Sequence, residues 1–112
     1  RMEGLENYRK LIRSILTEHA SIPYSHGDLK SVTVFDQESD HYLMMAHGWE
    51  GKRRVHDCMI HVDIIDGKFW IQYDGTEYGI AAKLREAGVP REQIVIAFQS
   101  PEMRKYLEAA VA

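Results

Sequence analysis

Between Cys58 and Glu77 the chain reads CMIHVDIIDGKFWIQYDGTE, with His61 and Asp63 on one side of Asp66-Gly67 and Trp70, Gln72 and Asp74 on the other. Residues two apart on a strand point to the same face, so each set shares a face if these runs are strands. Three kinds of chemistry suit the mixture. A carboxylate can orient a histidine for proton transfer. A histidine and a carboxylate can ligate a divalent ion. A tryptophan among a few polar groups can anchor a protein contact.

A metal site would draw on His56, His61 and Asp63. His56 has the opposite strand parity unless a bulge intervenes. Two convergent ligands fall short of the four of a structural zinc site, so the expectation is no metal and no cofactor. Catalysis lacks an evident nucleophile, because Cys58 falls on the apolar face of its strand and away from His61. Asp74 with Glu77 fits a capping-box-like helix start, with Thr76 a rival cap. The alternative that survives is a metal-dependent nuclease or hydrolase subunit using His61, Asp63 and Asp74, completed across an oligomer. Asp66-Gly67-Lys68 is explained as a turn, and Gly75, Gly79 and Gly88 are isolated, so no phosphate-binding loop is present. The expected set is therefore not catalytic. It is a partner-binding group of Trp70, His61, Asp63 and Gln72, with Arg53 and Arg54 at its edge.

The elements that must position these residues follow from periodicity. Leu5, Tyr8, Ile12, Ile15, Leu16 and His19 recur at helical spacing and predict a helix from Leu5 to Ala20. SIPYSHGD reads as a loop. Strands are expected at Leu29–Phe35, His41–Trp49, Arg53–Ile65 and Lys68–Asp74. Asp-Gly at 66–67 favours a two-residue hairpin turn, because a type I′ turn needs positive φ at both central positions. Glu77 to Ala87 reads as a helix stopped by Gly88, with Pro90 beyond it. A short apolar strand, Ile94 to Phe98, precedes a Ser100-Pro101 helix start and a last helix with Met103, Tyr106 and Leu107. Consecutive strands between helices make this an α+β domain, an antiparallel meander of four to five strands with an N-terminal helix and C-terminal helices.

The Asp66-Gly67 turn sets Ile65 opposite Lys68, Asp63 opposite Trp70, His61 opposite Gln72 and Ile60 opposite Tyr73. Cys58, Ile60, Val62, Ile64, Phe69, Ile71 and Tyr73 then form a core face for the first helix to cover. A three-residue turn at Glu50 to Lys52 keeps that face apolar by pairing Met44 with Cys58 and Tyr42 with Ile60. Leu43, Met45 and Met59 join the second face. A freely solvated sheet face should be polar, so this mixed one calls for a cover, either the C-terminal helices or another chain.

At 112 residues the expectation is one domain spanning 1–112. Met2 reads as the native start and Arg1 as an added residue. A single cysteine forms no internal disulfide and fits a reducing compartment. No run reaches the roughly 20 apolar residues of a membrane helix. A cytoplasmic location, without membrane contact, is expected. The net charge of -3, from 14 basic and 17 acidic residues, opposes unaided DNA binding, and Asp63 and Asp74 flank Trp70. A DNA-contacting accessory protein using Arg53, Arg54 and Arg104 is the third reading.

LENYRKLIRSILTEHA near the start and the run from Val34 to Tyr106 resemble the XisI family over nearly the whole chain. The most specific parts are Arg54-Val55-His56, HVDI at 61–64, WIQYDGTE at 70–77 and GVP at 88–90. The resemblance implies a small cyanobacterial factor controlling excision of a DNA element, without an assigned active site. It also implies a separate protein partner, a recombinase or a nuclease-like XisH protein. Homo-oligomerisation is compatible with the same second face.

Overall fold

The computed structural model describes residues 2–24 and 28–111. Arg1, and Ser25 to Gly27 of the expected loop, lie outside the described residues. Helix α1 (Met2–Ala20) leads into strands β1 (Asp28–Asp36), β2 (His41–Glu50), β3 (Arg53–Ile65) and β4 (Lys68–Asp74). Helix α2 (Ile80–Glu86), a short 3-10 turn (Arg91–Gln93), strand β5 (Ile94–Ile96) and helix α3 (Pro101–Val111) complete the chain. The strands form one sheet in sequence order, with β1 to β4 antiparallel neighbours. The meander is as expected, but β5 pairs parallel to β4, because α2 serves as a crossover between them.

One face of the sheet is the core. Ile12 and Leu16 of α1 are fully buried against Tyr42, Met44, Ile60, Val62, Ile64, Phe69 and Ile71. Tyr8 stacks on Phe69 with ring centroids 4.6 Å apart. Ile80 and Leu84 of α2, and Val89 after it, join the same cluster. Burying side chains of this size stabilises by about 1.5–3 kcal/mol each, which is why α1 and α2 lie on this face. Gly88 (φ 98) ends α2, and Val89 N donates to Leu84 O at 3.0 Å, so the predicted glycine stop is present. The Ser100 hydroxyl accepts from Met103 N at 3.1 Å and caps α3.

Two β-bulges correct the expected register. The β2–β3 hairpin turns through two residues, Gly51 and Lys52, with Glu50 opposite Arg53, not through three. The side-chain phase that this turn sets would put the wrong face inward. An extra residue in β3, Met59, restores it: Met45 pairs with Cys58, but Met44 pairs with Ile60. Met59 packs on the core cluster instead of lining the second face. Cys58, level with Met45, moves off the core face to which parity assigned it.

The second bulge is Gln72. Ile65–Lys68, Ile64–Phe69, Asp63–Trp70 and Val62–Ile71 pair as expected from the Asp66-Gly67 turn. Beyond them His61 pairs with Tyr73, not Gln72, and Ile60 with Asp74, not Tyr73. Tyr73 therefore leaves the core face and is 50% exposed. Gln72 is the unpaired extra residue.

Candidate functional site

The second face gathers three chemistry-bearing side chains at one point. His41 opens β2 directly opposite Asp63 of β3, and His61 lies two residues before Asp63. His41 Nδ1 lies 2.7 Å and His61 Nε2 2.8 Å from the same oxygen, Asp63 Oδ1. Gln72 Nε2 donates to the other oxygen, Oδ2, at 3.2 Å. Asp63 is buried, with only 10% of its side chain exposed, whereas the His41 side chain is 49% exposed. The carboxylate thus forms the floor of the site and the imidazoles its open rim. The hydrogen bond that Asp63 accepts, then its charge, holds the His41 imidazole above its ordinary pKa.

Local structure explains this convergence. The β1–β2 turn ends at Asp40, in a left-handed conformation (φ 58) that aspartate tolerates better than most residues. Arg9 of α1 grips the Asp40 carboxylate with two bonds, Nε to Oδ1 at 2.8 Å and Nη2 to Oδ2 at 3.1 Å. The Tyr42 hydroxyl donates to the same carboxylate at 2.8 Å, and Ile64 N donates to Asp40 O at 3.1 Å. These bonds pin the backbone on both sides of His41. The guanidinium of Arg9 holds the Asp40 carboxyl below the usual range. Burial pushes the Tyr42 phenol up. On the far side, the Gln72 bulge brings an amide within reach of Asp63.

Of the other predicted residues, Trp70 falls where expected, and Arg53, Arg54 and Asp74 fall elsewhere. Trp70 is opposite Asp63 on the second face, half-buried, with the Arg104 guanidinium of α3 6.0 Å from its ring centroid. Arg53 and Arg54 do not border the Trp70, His61, Asp63 and Gln72 group. They start β3, seven or more residues from His61, which is roughly 23 Å or more at strand rise. There Arg53 pairs with Glu50, and Arg54 lies 5.4 Å from the Trp49 ring centroid. With Arg104 at Trp70, the three arginines proposed for DNA contact do not converge.

Asp74 is not part of the site either. Its Oδ1 accepts from Thr76 N (2.9 Å) and Thr76 Oγ1 (2.6 Å), and its Oδ2 accepts from Ile80 N (2.7 Å). It staples the end of β4 to the start of α2, a longer reach than a capping box with Glu77, since α2 begins at Ile80. The nuclease trio of His61, Asp63 and Asp74 is thereby broken up.

The Met59 bulge does put His56 in phase with the second face, opposite His47. It remains five residues from His61, too far to join it. The residue that parity arguments passed over is His41. A histidine opening the strand beside His61 is the signal that locates it. Among the described residues His41, His61 and Asp63 are the one group of three or more His, Cys, Asp or Glu side chains whose donor atoms gather, all within 4.8 Å of one another.

Around this point the second face is unusually apolar for open solvent. Val32 and Val34 of β1 are 41% and 51% exposed, beside partly buried Met45 and Leu43 of β2, and Tyr73 extends the patch to β4. Among the described helices none is long and apolar enough to cross a membrane.

A family model described as XisI protein matches residues 2–111. Among solved structures, a XisI-like protein from Anabaena variabilis is 41% identical, with 91% of this chain and 94% of that chain covered and a TM-score of 0.84. The fdxN element excision controlling factor XisI from Anabaena variabilis is 30% identical, with 92% and 94% covered and a TM-score of 0.78. Comparison with curated proteins finds no significant match.

Proposed function

This chain belongs to the XisI family, and on that premise we propose that it is a non-enzymatic controlling factor in DNA-element excision that works by protein contact. The similar structure named as an excision controlling factor supports the regulatory part of this reading. The observation that carries the contact part is the second sheet face. It carries exposed Val32, Val34 and Tyr73 together with half-buried Trp70 and the polar group of His61, Asp63 and Gln72. Apolar residues grouped on a sheet face away from the core, with a few polar groups to fix orientation, match the make-up of protein interfaces.

The partner is a recombinase or a nuclease-like XisH protein of the same excision system. Trp70 supplies the anchor. Arg53 and Arg54, at the far end of the hairpin, lie outside the central contact. The chain's acidic net charge of -3 favours a protein partner over direct DNA binding.

Titration calorimetry of the purified chain against each partner tests the reading. Trp70→Ala should weaken binding by about 2 kcal/mol or more, roughly 30-fold, with an unchanged far-ultraviolet dichroism spectrum. Val34→Asp, on the exposed rim of the same face, should weaken it as well. Normal binding by both variants sinks the assignment of this face.

A further inference from the structure

We propose that His41, His61 and Asp63 form a binding site for a divalent first-row transition ion, with Zn2+ as the probe ion. The donor types come first. Two imidazole nitrogens and one carboxylate oxygen suit zinc, iron, cobalt or nickel, while magnesium and calcium prefer an all-oxygen shell. The geometry is the second support. Gln72 takes Asp63 Oδ2, and both imidazoles address Oδ1, at 2.7 and 2.8 Å. Three donor atoms focused within 4.8 Å of one another define a point where one cation can replace hydrogen-bonded protons.

Around an ion with bonds of about 2.0–2.2 Å, donor atoms stand roughly 3.0–3.5 Å apart. The two nitrogen–oxygen separations must therefore open by a few tenths of an ångström. Half-exposed His41 can supply that movement, because among the described contacts its ring is hydrogen-bonded to Asp63 alone.

The surroundings match a metal site in two further ways. Gln72 Nε2 holds the carboxylate oxygen that faces away from the imidazoles, which is the usual support for a ligating carboxylate. That contact exists because Gln72 is the extra residue of a bulge, a device that re-aims side chains. Three protein ligands with an exposed rim leave coordination positions open to water or to a group from a bound partner, unlike a closed four-ligand structural site. The competing arrangement is a purely hydrogen-bonded cluster, in which a buried carboxylate takes two imidazole N–H donors. With Gln72 on Oδ2 and both rings on Oδ1 it accounts for the burial of Asp63, and it differs from a metal site in taking up no ion.

The test uses the isolated full chain, freed of metal by chelator and titrated with Zn2+ by calorimetry, with Co2+ absorption as a second readout. One ion per chain should bind. His41→Ala should abolish saturable binding, and Gln72→Ala should weaken it about 10- to 100-fold. His56→Ala, which removes a histidine of the separate His47–His56 pair, should leave it unchanged. Far-ultraviolet dichroism checks that each variant folds, and half-exposed His41 is the ligand least needed by the fold.

The proposal is overturned if the wild-type chain shows no saturable binding, if binding survives His41→Ala, or if His56→Ala removes it. No partner protein enters this experiment, so its outcome is independent of the docking reading of the same face.

Discussion

Asp74 separates a structural reading of the β4–α2 junction from a catalytic one, and Asp74→Ala is the perturbation that decides. The Asp74 carboxylate accepts three hydrogen bonds, two from Thr76 and one from Ile80 N. Thr76 Oγ1 in turn accepts from Gly79 N at 3.1 Å, so the turn from Thr76 to Ile80 is tied through one carboxylate. Losing a capping side chain costs about 0.5–2 kcal/mol. Hydrogen bonds to a charged group contribute roughly 1.5–3 kcal/mol each. Asp74 is only half-buried, so water replaces part of what is lost, and about 2–3 kcal/mol is the expected net cost.

The loss is transmitted to the core because Ile80, whose N–H is the third donor, is itself fully buried. Urea unfolding followed by tryptophan fluorescence measures it. With a slope of roughly 1.5–2 kcal/mol per molar, the midpoint should fall by about 1–2 M. Asp74→Asn keeps one acceptor oxygen and should lose about half as much, on the same hydrogen-bond scale. A midpoint within about 0.3 M of wild type for Asp74→Ala, an effect under roughly 0.6 kcal/mol on that slope, would refute the staple. It would also return Asp74 to the set of groups free for chemistry.

Gly48→Ala should destabilise by about 3 kcal/mol or more, or prevent folding, as read from thermal unfolding. Gly48 has φ 147, and a Cβ there would lie 1.9 Å from the Asp28 backbone oxygen of the neighbouring strand. Burial holds the Cys58 thiol above its ordinary pKa, so it should react with a thiol reagent at pH 8 more slowly than an unfolded-chain cysteine does. A folded value above the unfolded one means that Cys58 contributes stability fully below the ordinary thiol pKa and loses it as pH rises through the folded value. Cys58→Ala should therefore flatten the fall of stability on the alkaline side in a pH series of urea melts; an unchanged slope would contradict the burial effect.

Much of the scaffold was legible because its signals are local. The 3.6-residue spacing of Tyr8, Ile12, Ile15 and Leu16 marks α1, and Ile12 and Leu16 are indeed fully buried. Asp66-Gly67 fixed four pairs of the β3–β4 hairpin, including Asp63 opposite Trp70, because both turn residues adopt positive φ (52 and 76). Gly88 and Ser100 announced a helix end and a helix start. The parallel pairing of β5 carries no comparable local mark, since it is made by residues more than twenty positions apart.

What the sequence by itself determined, then, is the order of elements, the apolar face under α1, and the placing of His61, Asp63 and Trp70 on the other face. Only the tertiary structure decided where the strict alternation breaks. A bulge sacrifices a local ladder position, and it forms when non-local packing or bonding offsets that loss. At Met59 the offset is a side chain added to the core, and at Gln72 it is an amide placed on Asp63. Those two irregularities, with the Arg9 grip on Asp40, bring His41 onto Asp63 and turn Cys58 and Tyr73 away from the core. They depend on contacts between residues distant in the chain, which no short window of sequence contains.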